Sequence, residues 1–273
     1  MRIGGRAWIW IAVVVFVGAT AQAQAPAQTY RAPRTPDGRP NLNGIWQAMT
    51  EAHWDLEPHA AAQGPVYALG AQFSIPGGTG VVEGGTIPYK PEALAKKKEN
   101  FANRLKSDPE IKCFMGGVPR STYMPYPFQI IQGRDTVMLA YEFAGAVRVI
   151  NMGKPTEAPT DSWMGWSNGR WEGETLVIEV TGMNDQTWFD RAGNYHSDAL
   201  KVTERYTARS ADTLMYEATI EDSNVFTRPW KISMPLYRRV EKGAQLMEYK
   251  CVEFAEEAMY GHLRKNPVKG DLR

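Results

Sequence analysis

Cysteine is scarce in this chain: there are two among 273 residues, Cys113 and Cys251, with no C-x-x-C spacing to mark a redox or metal thiol pair. An excess of charge of one sign is also missing. The count of 31 Lys and Arg against 30 Asp and Glu leaves no basic field to attract nucleic acid or anionic lipid, which argues against both as partners. Histidine is limited to His53, His59, His196 and His262, and none forms an H-x-x-x-H or H-E-x-x-H pattern. No G-x-G-x-x-G precedes a helix and no P-loop occurs, so a nucleotide enzyme has no support and no cofactor is indicated. Beyond the first residues, no apolar run is long enough to span a bilayer, which takes roughly 20 residues.

The first residues follow the order of a secretory signal peptide. "MRIGGR" is short and basic, "AWIWIAVVVFVGAT" is apolar, and "AQAQA" supplies small residues for cleavage, placed here after Ala23. The expected division is a signal peptide over 1–23, a Pro/Ala/Gln-rich tether over 24–40, an N-terminal extension over 41–125 and a β domain over 126–273. The last two are read as one structural unit. An exported, periplasmic or secreted chain favours oxidised thiols, so Cys113 and Cys251 are expected to form one disulfide.

What is abundant is aromatic: twelve Tyr, nine Trp and nine Phe. They fall largely in segments whose apolar residues alternate with period two. "NLNGIWQA" reads as a first short strand. From residue 126 onward, "PFQIIQ", "TVMLAYEF", "AVRVINM", "SWMGWSNGRWEGETLVIEVTG", "ALKVTERYTA", "TLMYEATIED", "RPWKISMPLYRR" and "QLMEYKCVEF" follow one another with short turns between most of them. Such a mainly β, antiparallel meander is expected to close into a barrel, or fold as a sandwich, because either removes exposed strand edges. Residues 91–106 are expected as a helix, with Pro91 at its start and Leu94, Phe101 and Leu105 on one face. Residues 253–265 are expected as a closing amphipathic helix.

Strand faces select the candidate chemistry. In "ALKVTERY", Glu204 shares a face with Leu200, Val202 and Tyr206, while Arg205 takes the other. A carboxylate among apolar neighbours is either solvated at a rim or buried and paired, with Arg148, Arg205 and Arg228 as possible cations. Just upstream, "DRAGNYHSD" sets His196 beside Asp190 and Asp198. A carboxylate that holds an imidazole in one tautomer suits acid–base work, and the same residues also suit a hydrogen-bonded turn. A metal site would have to draw His59, His196 and His262 together from distant segments. The loop "KCFMGGVPRSTYMPYPFQI" offers Arg120 to an anionic group and Tyr123 and Tyr126 to a ring, or it plugs one end of the barrel. Trp188 is a further candidate for a ligand wall.

The phrases "RTPDGRPNLNGIWQ" (34–47), "GGVPRSTYMPYPFQI" (116–130), "GRWEGETLVIEVTGMNDQTWFDRAGNYHSDALKVTERY" (169–206) and "EYKCVEFAEEAMYGHLRK" (248–265) together resemble a largely uncharacterised family of exported proteins from soil and other environmental bacteria. The resemblance implies a lipocalin-like β architecture and carries no catalytic assignment. Two functions remain open. One is a barrel that binds a small apolar or aromatic molecule in an aromatic-lined cavity. The other is an acid–base enzyme (a lyase, isomerase or hydrolase) on the same scaffold, using His196, Asp190 or Asp198, Glu204, and Arg205 or Arg120. A structural envelope component lacks the repeats or lipid-attachment cysteine it would need.

Overall fold

Alternation of apolar and polar residues becomes alternation of inside and outside along nine strands. They are β1 (Gly44–Ala48), β2 (Phe128–Gln132), β3 (Thr136–Tyr141), β4 (Val147–Asn151), β5 (Trp166–Glu172), β6 (Thr175–Thr181), β7 (Lys201–Ser210), β8 (Thr213–Glu221) and β9 (Trp230–Arg238). The computed structural model describes residues 30–264, so the signal peptide expected over 1–23 lies outside the described residues. In β7 to β9 the inward residues are Val202, Glu204, Tyr206 and Ala208, then Leu214, Tyr216, Ala218 and Ile220, then Trp230, Ile232, Met234 and Leu236, all buried. The strands follow chain order around a closed barrel, with β1 joining β2 on one side and β9 on the other. The barrel therefore takes one strand from the N-terminal extension and is not confined to 126–273.

The pairing is antiparallel throughout except between β4 and β5, which run parallel at Ile150↔Ser167 and Asn151↔Asn168. A parallel pair needs a crossover, and residues 152–165 supply it. The register puts the end of β1, the start of β2, the β6–β7 connection (182–200) and the β8–β9 connection (222–229) at one end of the barrel. The long excursion 49–127 starts and finishes at that end and caps it. Helices α1 (Pro91–Ala102), α2 (Arg104–Ser107) and α3 (Arg120–Tyr123) belong to this cap. No helix among the described residues is long and apolar enough to cross a membrane.

Three local expectations change. Helix α1 buries Ala93 and Asn100 and leaves Leu94 and Phe101 exposed. The reason is Gly193, at φ +83°, where an added Cβ would lie 2.7 Å from the Phe101 nitrogen and 2.9 Å from Asn100 Cβ. Backbone packs on backbone there, so the helix turns its small face inward. The Asn100 amide donates to the Gly193 carbonyl at 3.2 Å.

Residues 244–253 form no strand. Strand β1 already occupies the free edge of β9, so the segment runs outside the barrel as a strap, with Met247 and Val252 exposed. Cys251 on this strap is bonded to Cys113, with Cα atoms 5.7 Å apart, so the expected disulfide is present but ties down the strap rather than a strand. The closing helix is shorter than expected: α4 covers Ala255–Tyr260 and a 3-10 turn follows at Gly261–Leu263.

Candidate functional site

The barrel interior is filled by side chains. Glu204 sits at its centre, fully buried, with Oε2 accepting from Arg148 Nη2 at 2.6 Å and Oε1 from the hydroxyls of Tyr216 at 2.8 Å and Tyr206 at 3.0 Å. Arg148 also donates to the Tyr141 hydroxyl at 3.0 Å and to Ser167 Oγ at 3.1 Å. Burial, with the Glu204 charge adding to it, pushes the Tyr206 and Tyr216 hydroxyls well above their ordinary value, so both remain donors. Residues 165–169 spell Gly-Trp-Ser-Asn-Gly, the G-x-S-x-G pattern of a nucleophile elbow. Here Ser167 lies within β5 and bonds Arg148, with no elbow turn around it. Arg205 faces outward and pairs with Glu172 at 2.8 Å.

The "DRAGNYHSD" segment is a knot of internal hydrogen bonds. Asp190 is buried; its Oδ1 accepts the amides of Ala192 at 2.9 Å and Asn194 at 3.2 Å, and its Oδ2 accepts the Leu56 amide at 2.9 Å and Asn194 Nδ2 at 2.6 Å. Burial first, then the neighbouring Asp55, push the Asp190 carboxyl up to about 7 against these donors. His196 is buried too. Its Nδ1 donates to the Ser197 carbonyl at 2.8 Å, which fixes Nε2 as acceptor of the Thr187 hydroxyl at 2.6 Å. Burial pushes its imidazole below the ordinary value. Asp198 is exposed, and the carboxylate that organises this turn is Asp222, which takes the Ser197 amide at 2.6 Å and hydroxyl at 3.0 Å.

The loop around α3 is a plug. Thr122 reaches into the barrel mouth, 3.4 Å from both the Tyr141 and Tyr206 hydroxyls, and the buried Tyr123 donates to the Phe189 carbonyl at 2.8 Å. Arg120 is buried against Asp108 at 3.1 Å and Glu110 at 2.7 Å. Glu110 in turn accepts two bonds from Arg191, at 2.8 and 2.7 Å. Burial alone would raise the Glu110 carboxyl, but Arg191 and Arg120 hold it down at about 2. Arg191 stacks over the Trp54 ring at 4.5 Å.

This chain of ion pairs forms the floor of a cleft of about 320 Å³ between the cap and the strap. Leu105, Ile111, Val252 and Phe254 supply apolar walls, and Tyr126 and Tyr249 supply aromatic ones. The two rings meet edge to face at 5.1 Å, and Phe143 packs at a tilt against both. Burial pushes the Tyr249 hydroxyl above its ordinary value, so it stays protonated. Cys251 is part of the wall, so the disulfide pins one side of the cleft to the other. The volume lies at the small end of the range for small-molecule sites, roughly 300–1,000 Å³.

Of the expected ligand residues, Tyr126 lines this cleft, Arg120 lies behind Glu110, Tyr123 is core, and Trp188 is buried with its backbone bridged to Tyr195. His59 Nδ1 lies 3.0 Å from the Glu57 carbonyl, and His262 is exposed in the last turn. Among the described residues no group of three or more His, Cys, Asp or Glu side chains is placed to hold a metal ion. Two cleft residues went unnoticed: Tyr249, because "QLMEYKCVEF" alternates like a strand and alternation does not reveal a strap, and Arg264, because it falls in the segment expected as a closing helix. No protein-family model matches the chain, and no curated protein matches it.

Proposed function

We propose that this is an exported protein that binds a small apolar or aromatic molecule, and that it does so in the cleft beneath the strap rather than in the barrel lumen. The observation that carries the reading is the cleft itself, with Tyr126 and Tyr249 set edge to face over apolar walls and a rigid ion-paired floor. A filled lumen leaves the barrel as the scaffold, with its cap and strap forming the site. Export rests on the N-terminal pattern of basic, apolar and small residues, with which the disulfide is in keeping. The acid–base alternative is less well supported, because both ring nitrogens of His196 are engaged and Asp198 is turned to solvent.

The test is a calorimetric titration with a neutral bicyclic probe, naphthalene-2-carboxamide. Binding is expected in the protein as it stands, with at least a roughly tenfold loss in Tyr249→Ala, since a lost aromatic contact typically costs more than 1 kcal/mol. Binding that survives both Tyr249→Ala and Val252→Arg unchanged would show that the probe sits elsewhere.

A further inference from the structure

Each charged group that lines the cleft meets a partner of opposite charge. Arg191 is held by two bonds to Glu110 and lies 3.9 Å from Glu256, and Lys250 pairs with Glu248 at 3.2 Å. Arg264, on the cleft wall, is different. Its side chain is 3% exposed, and its Nε donates to Glu257 at 2.5 Å, but its Nη1 has no hydrogen-bond partner among the described residues. A buried guanidinium nitrogen without an acceptor is uncommon, because the donor loses water and gains nothing.

A second cation lies close by. Arg104 in α2 stacks over the Phe101 ring at 4.2 Å and donates to the Phe101 carbonyl at 2.9 Å, with no carboxylate among these contacts. Burial first, then the Arg264 charge, push its guanidinium below the ordinary value. Arg264 thus shares the cleft wall with Glu257 while a second guanidinium lies behind it, and Leu105 of α2 and Val252 of the strap add apolar surface.

We infer that the molecule bound in the cleft carries a carboxylate beside its apolar or aromatic body, and that Arg264 receives this group through its unpartnered nitrogen. The inference rests on the cleft being a binding site and adds the chemical class of its occupant. A guanidinium presents N–H groups in a planar fork that matches a carboxylate, and charge assistance makes these the stronger hydrogen bonds. The apolar body would then lie toward Tyr126 and Tyr249.

Naphthalene-2-carboxylate and naphthalene-2-carboxamide have nearly the same shape and differ in charge, so calorimetric titrations of both at pH 7, with the disulfide intact, separate the two ideas. The carboxylate is expected to bind at least about tenfold more tightly. Arg264→Met should remove that preference, weakening the carboxylate at least about tenfold more than the carboxamide. If Arg264→Met disturbs the last turn and weakens both compounds, Glu257→Gln decides. Removing the competing carboxylate should strengthen carboxylate binding several-fold relative to the carboxamide, and no such gain overturns the inference. Equal affinity of the unaltered protein for the two compounds overturns the anion inference while the binding cleft stands. Failure of both to bind at millimolar concentration overturns the cleft reading and this inference with it.

Discussion

Arg148→Met tests whether the centre of the barrel is a strut. The substitution keeps an unbranched side chain but removes the cation from a Glu204 carboxylate that has no exposure to water. Glu204 would keep two hydroxyl donors, from Tyr206 and Tyr216, and the Tyr141 hydroxyl and Ser167 Oγ would lose the donor they share. Breaking one partner out of a buried ion pair costs about 3–5 kcal/mol, because the other charge stays behind unpaired. Glu204→Leu should cost about as much, since it strands the guanidinium and two phenols. The double variant Arg148→Met/Glu204→Leu leaves no charge at the centre of the barrel, so it should lie nearer the parent than either single, within about 3 kcal/mol. Set against a total stability of about 5–15 kcal/mol, each single change is large enough to read from urea unfolding followed by tryptophan fluorescence. Additive costs, with the double variant at the sum of the singles, would refute the argument. So would a single variant within about 1 kcal/mol of the parent, which would mean that water reaches Glu204.

Asp190→Ala leaves four N–H donors of the "DRAGNYHSD" knot without their acceptor; it should cost about 2–4 kcal/mol and speed hydrogen exchange at Ala192 and Asn194. Removing the cross-link by Cys113→Ala/Cys251→Ala, across a separation of 138 residues, should lower stability by about 4–5 kcal/mol in the chain-entropy model, read as a lower midpoint in urea. The pH dependence has a defined sign. Burial first, then the Arg191 charge, push the His53 imidazole from 6.5 to about 4, so its neutral form is favoured in the fold. Its contribution is complete above pH 6.5 and is lost as pH falls toward 4, a change of about 3 kcal/mol. Asp190, raised from 3.8 to about 7, acts in the opposite sense: its contribution is present below pH 3.8 and is lost as pH rises through 7. Urea midpoints measured from pH 4 to 6.5 should therefore rise less steeply in His53→Gln than in the parent. An unchanged slope would show that His53 titrates normally.

Much of the architecture was legible in the order of residues because strand and solvent impose a period of two. The inward set Val202, Glu204, Tyr206 and the set Leu214, Tyr216, Ala218, Ile220 both follow from alternation alone, and two cysteines leave one pairing. Period says which side a residue faces but not which neighbour it meets. "QLMEYKCVEF" alternates as well as the true strands do, yet β1, from a segment more than a hundred residues upstream, had already taken the edge it needed. His196 and Asp198 are two residues apart, but the turn buries one and exposes the other.

By itself, the sequence determined that the chain alternates into strands, that Glu204 lies on an apolar face and that its thiols have only each other. The tertiary structure alone decided that Arg148 meets Glu204, that Asp190 ties a knot, and that the strap closes a cleft over Glu110 and Arg191. Those outcomes depend on contacts between residues far apart in the chain, set by closure of the barrel and burial of charge, and local sequence carries no record of them.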